Sequence, residues 1–157
     1  MNEEPGLFHQ RLREGDTSIL KKWLKNNDPS KNKVLLSHIV REDLLENFKV
    51  IMKDKRTNPN EKNPIGTTIL IRIILDDNEA MFDIIVKRKD LDVNIKNKRD
   101  MAALDYAITS GKEKYVKALL KLGAKIDKEM YQYAKGKVLD ALQNSKLGKY
   151  ADLLGVL

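Results

Sequence analysis

Apolar residues return in the same phase every 34 positions through the middle of the chain. Leu36, Leu70 and Leu104 are each followed three residues later by Ile39, Ile73 or Ala107. A second set keeps the same step, with Phe48, Phe82 and Val116 followed by the pairs Ile51 and Met52, Ile85 and Val86, and Leu119 and Leu120. Steps of three and four within each set trace one face of a helix. A self-similar period of roughly 20–50 residues marks stacked units, none of which can bury its apolar face alone. The pattern predicts an all-α repeat fold.

The clearest unit lies within residues 91–125. Ala103, Leu104, Ala107 and Ile108 form a short apolar helix face, which Ser110 and Gly111 stop. Tyr115, Val116, Leu119, Leu120 and Leu122 form a second, ended by Gly123. Glycine just past a helix end supplies the positive φ needed there. Two antiparallel helices and an extended polar segment make one unit. Residues 67–75, TTILIRIIL, are β-branched and read locally as a strand. Their phase against residues 102–109 predicts a helix instead.

These residues resemble the ankyrin repeat. Leu104 and Ala107 match the L and A of the family's G-x-T-P-L-H-x-A pattern, Gly111 its turn glycine, Leu119 and Leu120 its L-L pair, and Gly123 and Ala124 its G-A. Asp92, Val93 and Asn94 match the D-V-N that closes the preceding repeat. One unit earlier, Gly66, Thr68 and Leu70 match, while Ile73 stands for the alanine and Asp77 for the turn glycine. Leu36, Ser37, Ile39, Phe48, Ile51 and Met52 carry a looser unit. A first unit, 28 residues upstream, holds Phe8, His9, Gly15, Leu20, Trp23 and Leu24. Tyr131, Ala134, Leu139 and Leu142 suggest a frayed C-terminal cap. The resemblance implies an all-α ankyrin-repeat solenoid of about four helix-turn-helix repeats with short hairpin loops. One domain is expected over 1–157, with units near 1–28, 29–62, 63–96 and 97–127 and a cap at 128–157.

Composition sharpens this reading. Hydrophobic residues make up 41% and aromatics only 6%, so burial must come from Leu, Ile, Val and Ala. With no cysteine, disulfides, thiolate catalysis and cysteine-based zinc sites are excluded. The first residues lack a basic segment and an apolar core, so no secretory leader is expected, and no stretch is long enough to cross a bilayer. A cytoplasmic location follows as the expectation. Net charge is +7, which raises nucleic acid or acidic membrane as a partner. The excess is spread out and broken by Asp76, Asp77, Glu79 and Asp83, which makes that the lesser reading.

Chemistry is thinly represented. His9 and His38 are the only histidines, and neither has a partner at metal-ligand spacing. The resemblance gives His9 a structural hydrogen bond. The pairs Asp76 and Asp77, and Glu42 and Asp43, fall at first-helix ends and read as solvated surface. Lys53, Lys55, Arg56, Lys87, Arg88 and Lys89 close second helices, where cations complement the helix dipole. Trp23, Leu20 and Leu24 read as core. No catalytic residue, metal or cofactor is expected.

The expected function is therefore a non-enzymatic, monomeric scaffold that binds a partner protein on its concave hairpin and inner-helix surface. By the resemblance, the contact positions are Lys31, Lys33, Arg41, Ile65, Thr67, Leu75, Asp76, Lys98, Arg99, Met101 and Thr109. Ile65, Leu75 and Met101 give this strip an apolar centre flanked by cations, suited to an apolar segment with acidic flanks. The alternatives are a basic nucleic-acid or acidic-membrane binder using Lys31, Lys33, Lys98 and Arg99, and a targeting fragment of a larger enzyme. The apolar tail from Leu153 to the end raises truncation from a longer chain. In its lysine richness the array resembles host-directed proteins of intracellular microbes and viruses.

Overall fold

The computed structural model describes residues 5–126, 129 and 132–145. The chain divides into two compact units, Met1–Leu91 and Asp92–Leu157. The first holds α1 (Pro5–Arg13), α2 (Thr17–Asn26), α3 (Leu35–Arg41), α4 (Leu45–Lys53), α5 (Ile69–Leu75) and α6 (Glu79–Ile85), with a 3₁₀ turn at Pro29–Lys31. The second holds α7 (Ala103–Thr109), α8 (Glu113–Lys121) and α9 (Gly136–Gln143). Among the described residues there is no strand, only an isolated bridge between Lys62 and Thr68. The fold is all-α, and the 34-residue step sets it: α3, α5 and α7 begin at 35, 69 and 103, and α4, α6 and α8 at 45, 79 and 113.

Within the first unit the second helices form one layer, α2 on α4 and α4 on α6, while α3 packs on α5 in another. Leu36, Ile39, Phe48, Ile51, Leu70, Ile73, Phe82 and Ile85 are all buried, which explains their phase. The β-branched segment is helix α5. The Thr68 hydroxyl caps it by accepting from the Ile71 N–H at 3.2 Å. Ile69, Leu70, Ile71, Ile73 and Ile74 are each 2% exposed or less. Burial on that scale, about 1.5–3 kcal/mol per side chain, outweighs a β preference worth a few tenths per residue. In the second unit α7 packs on α8, and α8 on α9, whose Val138, Ala141 and Leu142 are buried with Ala134. Tyr131 and the apolar tail lie outside the described residues.

The turn between paired helices needs a left-handed residue in every repeat. Gly15 (φ 80°) and Gly111 (φ 67°) supply it, as the pattern predicted, and Asp77 (φ 56°) stands for glycine in the third repeat. Asp43 (φ 53°) does the same in the second, so the acid pairs at 42–43 and 76–77 each contain a turn former. Asp and Asn are the non-glycine residues that tolerate this region best.

Hairpins connect the repeats. The Asn63 N–H donates to the Thr67 carbonyl and the Thr67 N–H to the Asn63 side-chain Oδ1, both at 2.9 Å, around Gly66 (φ 83°). One repeat later the Asn97 N–H donates to the Met101 carbonyl at 2.9 Å around Asp100 (φ 59°). The second repeat has no such hairpin. The 3₁₀ turn replaces it, with the Asp28 carboxylate accepting from the Ser30 N–H at 3.0 Å. This substitution accounts for the shorter step of 28 residues between the first and second units.

The cations at second-helix ends do more than face a dipole. Arg56 donates to the Leu24 carbonyl at 2.7 Å. Arg88 donates to the carbonyls of Met52 (3.0 Å), Asp54 (3.2 Å) and Thr57 (2.8 Å) while pairing with Asp90. Each arginine thus satisfies carbonyl groups left over where the preceding second helix ends.

Candidate functional site

The first unit carries a groove of about 450 Å³ bounded by α1, α3, α5 and the hairpin at 63–67. Its apolar walls are Val34, Pro64, Ile65 and Ile69, and its polar lining includes His9, Ser37, His38, Arg41, Thr67 and Arg72. Ile65 is 72% exposed at the hairpin tip and Val34 is 55% exposed at the start of α3. Large apolar side chains held this far into solvent, side by side with guanidinium groups, are the composition of an interface.

Val34 is exposed for a local reason. In register it occupies the slot held by Thr68 and Ala102, the residue just before a first helix. Thr68 caps with its hydroxyl, and at Ala102 the Asp105 carboxylate reaches back to accept from the backbone N–H at 2.7 Å. Val34 has no acceptor to offer, and α3 starts without a side-chain cap. A capping residue is worth about 0.5–2 kcal/mol, so the second repeat gives up stability at a position that faces the groove.

The groove floor is a histidine pair. The rings of His9, on α1, and His38, on α3, meet edge to face with centroids 4.9 Å apart. An Arg41 Nη2 lies 3.0 Å from His38 Nδ1. A guanidinium has no lone pair to accept with, so Nδ1 accepts and the ring proton sits on Nε2. Burial, then the neighbouring His9, lower the His38 pKa, with Arg41 and Arg13 adding to the effect against Glu42. The ring is therefore neutral at pH 7. His38 Nε2 and His9 Nδ1 are both buried and make no hydrogen bond among the described residues, and the buried Ser37 hydroxyl acts on the Glu61 carboxyl. The structural hydrogen bond expected of His9 is thus not made by its Nδ1.

Electrostatics on the walls favour an anion. Arg41 Nε pairs with Glu42 at 3.2 Å and Arg72 Nε with Asp76 at 2.6 Å. Both are exposed pairs of one nitrogen each, which leaves guanidinium donors on either arginine for another acceptor. Near the groove, burial pushes the Glu61 carboxyl up to about 7, with the Ser37 hydroxyl pulling the other way.

The structure brings Arg41, Ile65 and Thr67 together in this groove. Leu75, 46% exposed, closes α5, and Asp76 follows it. Lys31 and Lys33 line a separate, more open depression with Trp23, Lys25, Asn32 and Arg56, because the 3₁₀ turn carries them away from the place a hairpin would give them. In the second unit Lys98 and Arg99 are exposed at the hairpin tip and Met101 is half-buried. The Thr109 hydroxyl is used within α7, donating to the Asp105 carbonyl at 2.9 Å. Sequence reasoning missed Val34, Ser37 and Arg72 as groove residues. An apolar residue in the capping register was the available signal for the first. Among the described residues no group of three or more His, Asp or Glu side chains could hold a metal ion, and no helix is long and apolar enough to cross a membrane.

A family described as Ankyrin repeats (3 copies) matches residues 8–130. Among curated proteins, none matches the sequence.

Proposed function

The chain belongs to the ankyrin-repeat family, and from that premise we propose that it binds a partner protein on the face formed by its hairpins and first-helix ends. Ankyrin repeats are in general protein-interaction modules rather than catalysts. The observation that carries the reading is the exposure of Val34, Ile65 and Leu75 along one unit, with Arg41 and Arg72 beside them. In the second unit Met101, at the end of the hairpin, holds the register position that Thr67 holds in the first. An apolar segment with acidic flanks complements this arrangement, since desolvated anchors supply most interface energy and rim charges steer the encounter.

A second reading rests on the depression around Trp23, where Lys25, Lys31, Lys33 and Arg56 gather. Cations beside an aromatic ring suit a phosphate backbone.

Capture from cell lysate separates the two. The intact chain is compared with the Ile65→Ala/Leu75→Ala/Met101→Ala variant, with and without nuclease. Discrete proteins held by the intact chain and lost in the triple variant are the expected outcome. Nucleic acid recovered equally by both, and released by modest salt, would put the basic depression first.

A further inference from the structure

The groove between α3, α5 and the 63–67 hairpin has a floor and walls of different chemistry, and together they define what fits. On the floor, the buried His38 Nε2–H is a donor set by the Arg41 contact at Nδ1, and it makes no hydrogen bond among the described residues. His9 Nδ1 stands beside it, likewise without a hydrogen bond among the described residues. Buried polar atoms without partners are costly in a folded protein, and a bound backbone that supplied carbonyl and N–H groups would satisfy them. The walls ask for two further things. Val34, Pro64 and Ile65 call for an aliphatic side chain, and Arg41 and Arg72 for a planar anion.

We infer that this groove receives an extended peptide segment of a partner protein in which an aliphatic residue stands beside an aspartate or glutamate. The aliphatic side chain packs on Val34, Pro64 and Ile65. The carboxylate accepts from the unused nitrogens of Arg41 and Arg72, and a peptide carbonyl accepts from His38 Nε2. This assignment rests on the protein-binding reading above and gives it a partner chemistry. A single carboxylate suits the site better than a phosphate, because each arginine already shares its charge with Glu42 or Asp76.

The test uses the full chain and an array of 12-residue peptides carrying one Leu or Ile flanked by Asp or Glu. Control arrays replace the acids with Asn and Gln, or with Lys. The acidic set should bind at least about tenfold more tightly than the Lys set, as charge complementarity requires. Three variants locate the binding. Arg41→Ala/Arg72→Ala should weaken it about tenfold and reduce its salt dependence. Ile65→Ala should cost more than about tenfold, as an anchor does. Val34→Thr keeps shape while removing one exposed methyl group, and should cost about fourfold. Because Ile65 is solvent-exposed, circular dichroism and Tm should stay unchanged in Ile65→Ala, while Val34→Thr puts a capping residue in the uncapped slot and should not lower Tm. Equal binding of acidic and Lys peptides would overturn the inference. So would acidic-peptide binding that none of the three variants weakens. If lysate proteins are still captured and still lost on Ile65→Ala/Leu75→Ala/Met101→Ala substitution, the broader protein-binding reading survives that failure.

Discussion

Asn78 donates from Nδ2 to the Asp43 carboxylate at 2.5 Å, so the residue that caps α6 also grips the left-handed turn of the preceding repeat. Asn78 Oδ1 meanwhile accepts from the Met81 N–H at 3.0 Å. One side chain starts a helix and ties two repeats together. Asp43, left-handed at φ 53°, therefore holds a partner as well as a turn. Asp43→Gly should gain about 0.5–1 kcal/mol, because glycine adopts positive φ without strain, and lose the Asn78 bond, a net change near zero. Urea denaturation of the variant decides this, and stabilisation by the full amount would show that the Asn78 contact contributes nothing.

Arg88 ties the third repeat to the second. Its side chain is 14% exposed and serves three carbonyl groups around the end of α4. Arg88→Ala should cost about 2–3 kcal/mol, since hydrogen bonds from a charged donor are lost and buried carbonyls are left unpaired. Arg56→Ala removes one such bond, to Leu24, and should cost about 1 kcal/mol. Thermal melts at low and high salt are the check. A loss for Arg88→Ala that vanishes in high salt would mark it as a surface ion pair instead.

Glu61 makes stability depend on pH in an uncommon direction. Burial raises its carboxyl from an ordinary 4.5 to about 7, so the folded chain holds a proton there that the unfolded chain has released. Its contribution is complete below about pH 4.5 and is lost as pH rises through about 7. Glu61→Gln should remove this slope and leave the variant more stable at pH 8. The gain should be on the order of 1 kcal/mol once solvent screening of a partly exposed group is discounted. Tm measured from pH 4.5 to pH 8 tests it. An unchanged slope in the variant would place the titration elsewhere.

The helices were legible because their signal is collective. Leu36, Leu70 and Leu104 need no local propensity to agree, since burial against the neighbouring repeat fixes their phase, and α5 shows that this overrides β-branched composition. Single-residue backbone roles were harder to see. Asp43 reads as half of a solvated acid pair unless the register that joins Gly15, Asp77 and Gly111 is extended to it. Part of the groove was visible in the hairpin tip at Ile65 and the helix end at Arg41. The rest was not, because Ser37, His38 and Arg72 are ordinary polar residues on short helices. Their meeting with His9 is a product of α1 packing near α3. Lys31 and Lys33 went to a different depression because a 3₁₀ turn cannot be told from a hairpin by charge pattern alone.

Apolar anchoring on the hairpin and first-helix face is most directly tested by eluting captured lysate proteins from the intact chain in salt rising to about 1 M, where charges are screened within about 3 Å. Protein retained at the highest salt, and absent when Ile65 and Leu75 are both alanine, is the predicted result. Release of everything at modest salt from the intact chain and the variant alike would contradict it.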